Sequence, residues 1–361
     1  MNKIYLYIFL MSTKFILFNI IIITVLFSLI NLLEISRLIA HQDTNLTTFL
    51  LLSLLKIPSI ISQTISFVII VSIAFLFRNL ISNNELISMR NVGLSILDIY
   101  KPIAFSIFIF GLLILIFINP ISAKFENKFN FLTSSKIDKN YSIKITNGEM
   151  WIKNFSKKNE KRYININNLN FKNMHAKNIK ILNIDDVNDN NKLIISKEGR
   201  IKDKLFKLID VKIINIKKNK FTYLDEYNMN INFDKNNLLD SISNYKHIPF
   251  YKYYEHTNTL KKFNLHSSEI SLYYLSELLR PFFLIIIGFV VMSYSGKFKR
   301  NENFFKILFI SILIGFLFFL LKEIMISLTT KMNLSFIFSY LVIFLLPLFI
   351  GLYNTMNIEN D

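Results

Sequence analysis

The sequence predicts an α-helical membrane protein with an inserted all-β domain: six transmembrane helices, divided three and three, around one extracytoplasmic domain of β-sandwich or jelly-roll type. Three observations lead there. Of the 361 residues, 52% are hydrophobic, with 36 Phe against only 8 Gly and 6 Pro, too apolar for an ordinary soluble domain. Six apolar runs reach the roughly 20 helical residues that a hydrocarbon core of about 30 Å demands. Between the third and fourth runs, a polar stretch of domain length alternates apolar and polar side chains.

The runs are Phe15–Ile39, Phe49–Phe77, Ile99–Ile118, Ile270–Tyr294, Phe304–Leu328 and Leu334–Tyr353. The first is longer than a signal-peptide core and has no small-residue cleavage site behind it, so it is expected to remain as a membrane helix. Pro58 in the second predicts a kink. Lys3, Lys14, Arg78, Arg90, Lys101, Lys297, Lys299, Arg300 and Lys306 fall on one side of the resulting topology, against Arg37 and Lys331 on the other. Basic residues in short loops stay inside, which predicts cytoplasmic termini and an extracytoplasmic insert. The expected organisation is residues 1–120 for the first three helices, 121–267 for the β-domain and 268–361 for the last three helices with a short cytoplasmic tail.

Within the insert, Tyr163–Phe171 (YININNLNF), Ile179–Ile184 (IKILNI) and Val211–Leu224 (VKIINIKKNKFTYL) alternate with period two, separated by polar clusters such as Asp185–Asn191. That pattern fits antiparallel strands with one buried face, and its supply of β-branched and aromatic residues argues against a disordered linker.

The formal charge of +17 does not by itself choose a function. Lys, Asn, Ile and Phe are abundant while Arg is scarce, a mixture that an AT-rich coding sequence produces; tolerance of anionic headgroups is what survives of the inference. With no Cys there is no disulfide framework, thiolate metal site or thiol nucleophile. The histidines His41, His175, His247, His256 and His266 lie apart without metal-ligand spacing, and no nucleophile–base constellation is visible.

The connection Arg78–Pro102 between the second and third runs reads as a short separate helix near residues 83–93. Ser82 and Glu85 have capping-box spacing, Leu86, Met89 and Val92 recur at i, i+3 and i+6, and Gly93 is placed to end the helix in a left-handed turn. Ser95 with Asp98 can start the next helix. A surface helix with a carboxylate and a Leu–Met stripe has the form of a coupling helix that docks on a separate ATPase. Taken on composition alone, a cap at Glu85 and simple packing at Met89 are the more economical reading.

NNELISMRNVGLS resembles the segment that follows the second membrane helix in the lipopolysaccharide export permeases LptF and LptG, with Glu85, Met89, Arg90, Gly93 and Ser95 on its defining positions. The likeness extends to NLLEISR, Pro102, NGEMWIKN (Asn147–Asn154) and LLRPFFLIIIGFVVM, and in LLEISR, length and acidic tail it is nearer LptG. It implies a periplasmic β-jelly-roll, opened by the strand carrying the single Trp151, which is expected as a core aromatic. It also implies an inner-membrane ABC-transporter permease, not itself an enzyme and without a cofactor of its own. ATP is bound by a separate LptB-like ATPase dimer, coupled through Glu85, Leu86, Met89, Arg90 and Gly93. The partners implied are the paralogous permease (LptF if this chain is LptG), LptC- and LptA-like periplasmic proteins, and lipopolysaccharide; no nucleic acid is expected.

Ionisable residues within membrane spans carry a functional hypothesis by default. Glu34, Arg37, Lys56 and Lys322 are candidates for lipid binding, the cations pairing with glycolipid phosphates while apolar faces hold acyl chains. Snorkelling to ordinary headgroups, or pairing with a neighbour as Lys322 and Glu323 invite, is the competing account. A membrane-anchored scaffold without transport activity is the alternative for the whole chain.

Overall fold

The computed structural model describes residues 3–39, 46–134, 141–146, 149–155, 160–170, 173–185, 191–202, 204–217, 220–231, 248–262, 268–296, 303–332 and 334–360. His41, Asn147, Gly148, His247, His266, Lys297, Lys299, Arg300, Asp361 and the polar cluster at 186–190 lie outside them.

Apolar length dictates the helical part. Among the described residues, six helices are long and apolar enough to cross a membrane. They are α1 (Lys3–Ile39), α2 (Leu46–Ser82), α4 (Ile96–Leu113) continued through a π-helical turn (Ile114–Ile118) into α5 (Asn119–Ser134), α7 (Ser268–Ser295), α8 (Phe304–Met332) and α9 (Phe336–Asn360). Among the described residues there are also two shorter helices, α3 (Glu85–Asn91) and α6 (Tyr253–Lys262). Every span overruns its apolar run at one or both ends, because continuing the helix keeps backbone groups paired where polar side chains already reach water. Pro58 lies inside α2.

The chain divides into two compact units, residues 1–129 with 272–361, and residues 130–271. In the helical unit α2 and α7 are the most buried spans, and glycines set their approach to neighbours. A methyl on Gly111 of α4 would stand 2.8 Å from Pro281 Cα of α7. One on Gly315 of α8 would stand 2.6 Å from Val291 and 2.8 Å from Ile70, and one on Gly351 of α9, 2.7 Å from the Phe289 ring. Lipid tails are as apolar as leucine, so close backbone approach at small residues takes over much of the role that burial plays in water.

Among the described residues the β unit holds seven strands in one antiparallel sheet whose order follows the chain: β1 (Tyr141–Thr146), β2 (Glu149–Phe155), β3 (Glu160–Asn170), β4 (His175–Asp185), β5 (Lys192–Lys202), β6 (Leu205–Asn215) and β7 (Lys220–Asn230). The inserted all-β domain is therefore as the alternation predicts. Ile152, Ile164, Ile181 and Ile194 form one buried row across four strands. Five strands break their ladder at one level: Asn167, Asn178, Lys197, Asp210 and Asp225 face one another in sequence across β3–β7 without ladder pairing. Asn178 and Asp210 there are left-handed, with φ of 53° and 56°, a region that Asn and Asp enter more readily than other residues with a Cβ. Side-chain alternation is reset at this line: Ile166, Ile179 and Val211 are buried before it and Leu169, Ala176 and Leu208 after it, each three residues away rather than two. Trp151 is 46% exposed on β2, not a core residue, because its row lies on the opposite face from the isoleucines.

Candidate coupling turn and lipid-facing cleft

The turn between α2 and α4 is built from local capping. The box expected of Ser82 and Glu85 does not form: α2 runs on through Ser82, whose hydroxyl donates to its own helix at Asn79 O, 3.0 Å away. Instead α3 starts from Asn84 in a left-handed conformation, φ 61°. Gly93, at φ 92°, ends it as the sequence predicts, its N–H donating to Arg90 O (2.8 Å) while Leu94 N–H reaches Met89 O (3.2 Å). Ser95 then caps α4, accepting from Asp98 N–H at 3.0 Å, while the Asp98 carboxylate accepts from Ser95 N–H at 3.3 Å.

This geometry divides the Leu–Met–Val stripe. Leu86 and Met89 are buried in the core of the helical unit, whereas Val92, already the cap residue beyond a two-turn helix, is 72% exposed. The pair thus anchors α3, and the surface left open is Ser88, Asn91 and Val92. Glu85 accepts a hydrogen bond from the Tyr7 hydroxyl of α1 at 2.9 Å, and the Arg90 guanidinium donates to Ile358 O of α9 at 3.4 Å.

A cavity of about 350 Å³ opens between α1, α2 and α8, lined by Phe27, Ile60, Gln63, Thr64, Phe67, Ile70, Phe316 and Phe319. Six of the eight are apolar, so it suits acyl chains. The Lys322 ammonium lies 5.6 Å from the centroid of Phe319 and 5.2 Å from that of Phe283, and 3.0 Å from the Glu323 carboxylate. Adjacent on the helix, Lys322 and Glu323 nevertheless pair. Lys56 is ion-paired with the buried Glu126 of α5 and stands 4.2 Å from the Phe129 centroid. Glu34 and Arg37 are exposed on α1, one turn apart. Lys56 and Lys322 are thus brought near aromatic rings and carboxylates, and neither ammonium stands alone. Among the described residues no cluster of three or more His, Asp or Glu is placed to hold a metal ion.

The family model described as lipopolysaccharide export system permease LptF/LptG matches residues 6–356, almost the whole chain. The chain belongs to the LptF/LptG family. No curated protein sequence matched it. LptF/LptG membership makes it a multi-pass inner-membrane permease subunit with a role in lipopolysaccharide export, working within a system of other Lpt components.

Several charged groups of this LptF/LptG chain escaped the sequence reading. The buried Glu277 and the half-buried Arg280 form an ion pair within α7, and Arg280 also donates to the hydroxyl (2.8 Å) and carbonyl (3.2 Å) oxygens of Ser62 in α2. The signal was present: a carboxylate and a guanidinium three apart in an apolar span share one helix face. Glu126 lies beyond the end of the third apolar run, in helix that the run does not announce.

Proposed function

We propose that the chain is the LptG-type permease of an ABC transporter that extracts lipopolysaccharide from the inner membrane and passes it to the periplasmic bridge, driven by a separate ATPase. The observation that carries this reading is α3: a two-turn helix between two spanning helices, anchored by Leu86 and Met89, with Ser88, Asn91 and Val92 outward. An element held rigidly at its base and open on its far side transmits displacement to the spans it joins. Glu85, Arg90 and Gly93 set its two ends, and it hydrolyses nothing. ATP is held by an LptB-like ATPase dimer, and the permease needs no cofactor of its own.

In this reading both termini are cytoplasmic and the β-domain is periplasmic, in line with the basic short loops. The paralogous LptF-type chain completes a heterodimer, and LptC- and LptA-like proteins receive the cargo. The cleft between α1, α2 and α8 takes acyl chains, with the Lys322 cation beside the lining residue Phe319. Glu34, Arg37 and Lys56 bear on the headgroup; for Lys56 this requires exchange of Glu126 for a phosphate.

The test is to co-express the tagged chain with the candidate ATPase and second permease, purify the complex, and compare ATPase recovery for wild type, Glu85→Lys and Val92→Glu. Losing a buried docking contact costs about 2 to 5 kcal/mol, enough to lose the subunit on a column. Recovery with wild type and loss with the variants supports the docking turn. No ATPase with any of them sinks it and favours a membrane-anchored scaffold.

A further inference from the structure

The last turn of α9 closes on the docking turn by two hydrogen bonds of opposite polarity. Glu359 Oε1 accepts from the backbone N–H of Ile96, 3.1 Å away, and the Ile358 carbonyl accepts from Arg90. Each satisfies a group that a helix end leaves open. Ile96 is the first residue of α4, so its N–H has no partner within that helix; the Ser95 cap serves Asp98 instead. The Ile358 carbonyl likewise belongs to the final turn of α9. A carboxylate therefore sits at a helix N-terminus and a guanidinium at a helix C-terminus, the favourable sense for both.

The contact is seated rather than incidental, since Ile358 and Ile96 are both buried and both belong to the core of the helical unit. It spans the turn at Gly93, joining the end of α3 to the start of α4. With Tyr7 bound to Glu85 at the other end, the docking turn is tied to the first spanning helix on one side and the sixth on the other.

We propose that the C-terminal turn Ile358–Glu359 is a strut that couples α9 to the docking turn, with Glu359 as its positioning residue. This rests on the docking role proposed above for α3. Glu359 touches neither nucleotide nor cargo in this account; it fixes the angle at which α3 and α4 are presented, so that displacement of the turn is passed to the sixth spanning helix.

The experiment uses the full chain in complex with the second permease and the ATPase, comparing wild type, Glu359→Ala and Glu359→Gln. Three quantities are measured: hydrogen exchange at the Ile96 amide, ATPase recovered, and the stimulation of ATP hydrolysis by added lipopolysaccharide. In Glu359→Ala the Ile96 amide is expected to exchange about tenfold faster or more, as for loss of one charge-assisted hydrogen bond. ATPase recovery stays level and lipopolysaccharide stimulation falls several-fold. Glu359→Gln keeps an acceptor oxygen and should restore much of the stimulation, a rescue that a loss of folded protein would not give. Faster exchange with unchanged stimulation overturns the strut while leaving the docking turn intact. Unchanged exchange shows that the contact is not made and overturns it as well. Failure of wild type to retain the ATPase removes the docking reading, and the strut with it.

Discussion

Arg280 of α7 reaches both oxygens of Ser62 in α2 while paired with Glu277 on its own helix, so one guanidinium joins the two most buried spans of the bundle. Removing Arg280 leaves the buried Glu277 without its counterion, and removing Glu277 leaves a half-buried guanidinium without its own. Arg280→Leu or Glu277→Leu alone should cost about 3 to 5 kcal/mol, and the double replacement distinctly less than the sum. Thermal unfolding of the purified chain, run as a double-mutant cycle, reads this directly. Additive costs would show that the two act separately.

The cleft between α1, α2 and α8 has a polar group exposed on its wall. Gln63→Trp fills that space without emptying the core, because Gln63 is exposed and its amide meets only Ser59 Oγ, at 3.0 Å. Lipopolysaccharide retained by the purified complex should drop several-fold at unchanged recovery of protein. Undiminished retention would place the acyl chains elsewhere.

At the broken level of the sheet, Asp210 is left-handed and pairs with Lys197 at 2.6 Å. Both side chains are more than half exposed, and the carboxylate raises the Lys197 pKa; such a surface pair contributes little to stability. The backbone is what matters. Asp210→Gly should be nearly neutral or mildly stabilising, whereas Asp210→Val should cost about 1 to 2 kcal/mol, since a branched Cβ is strained at positive φ. Denaturant midpoints of the two variants decide it.

Burial lowers the His256 pKa to about 4, from an ordinary value of 6.5. The folded form therefore holds His256 neutral where the unfolded chain would protonate it. Its contribution is present in full above about pH 6.5 and is lost as pH falls from there towards 4, a change on the order of 2 kcal/mol after allowance for its partial exposure. Amide exchange in α6, corrected for intrinsic rates, should accelerate between pH 7 and 5 in wild type and not in His256→Gln. The same profile in both would assign the effect to another group.

The spans were legible because membrane length leaves a blunt apolar signal, yet their ends were not, since helix continues past Ile118 to Ser134 through residues of mixed polarity. Among caps, Ser95 with Asp98 and Gly93 were read correctly. Ser82 with Glu85 has the same spacing as Ser95 with Asp98, and failed because a long helix had already claimed Ser82. Strand alternation is visible in YININNLNF, but the step from Ile166 to Leu169 hides the reset that β3, β4, β5 and β6 share in their burial. Lys56 and Lys322 were found as charges in apolar surroundings. Their partners and rings come from other helices, or from an adjacent side chain whose direction spacing does not settle.

The reset has an all-or-none character. Deleting Asp210 alone would leave β6 alternating perfectly from Val211 through Ile209 to Leu208, yet one step out of register with β5 and β7 beyond that line. Inward side chains of one strand would then lie beside outward ones of its neighbours. Deleting all five residues together would return an ordinary sheet with every buried row intact. The extra residue in each strand is tolerable because its neighbours carry one at the same height, so a length change in any one of these strands is a change to the pairing of all five.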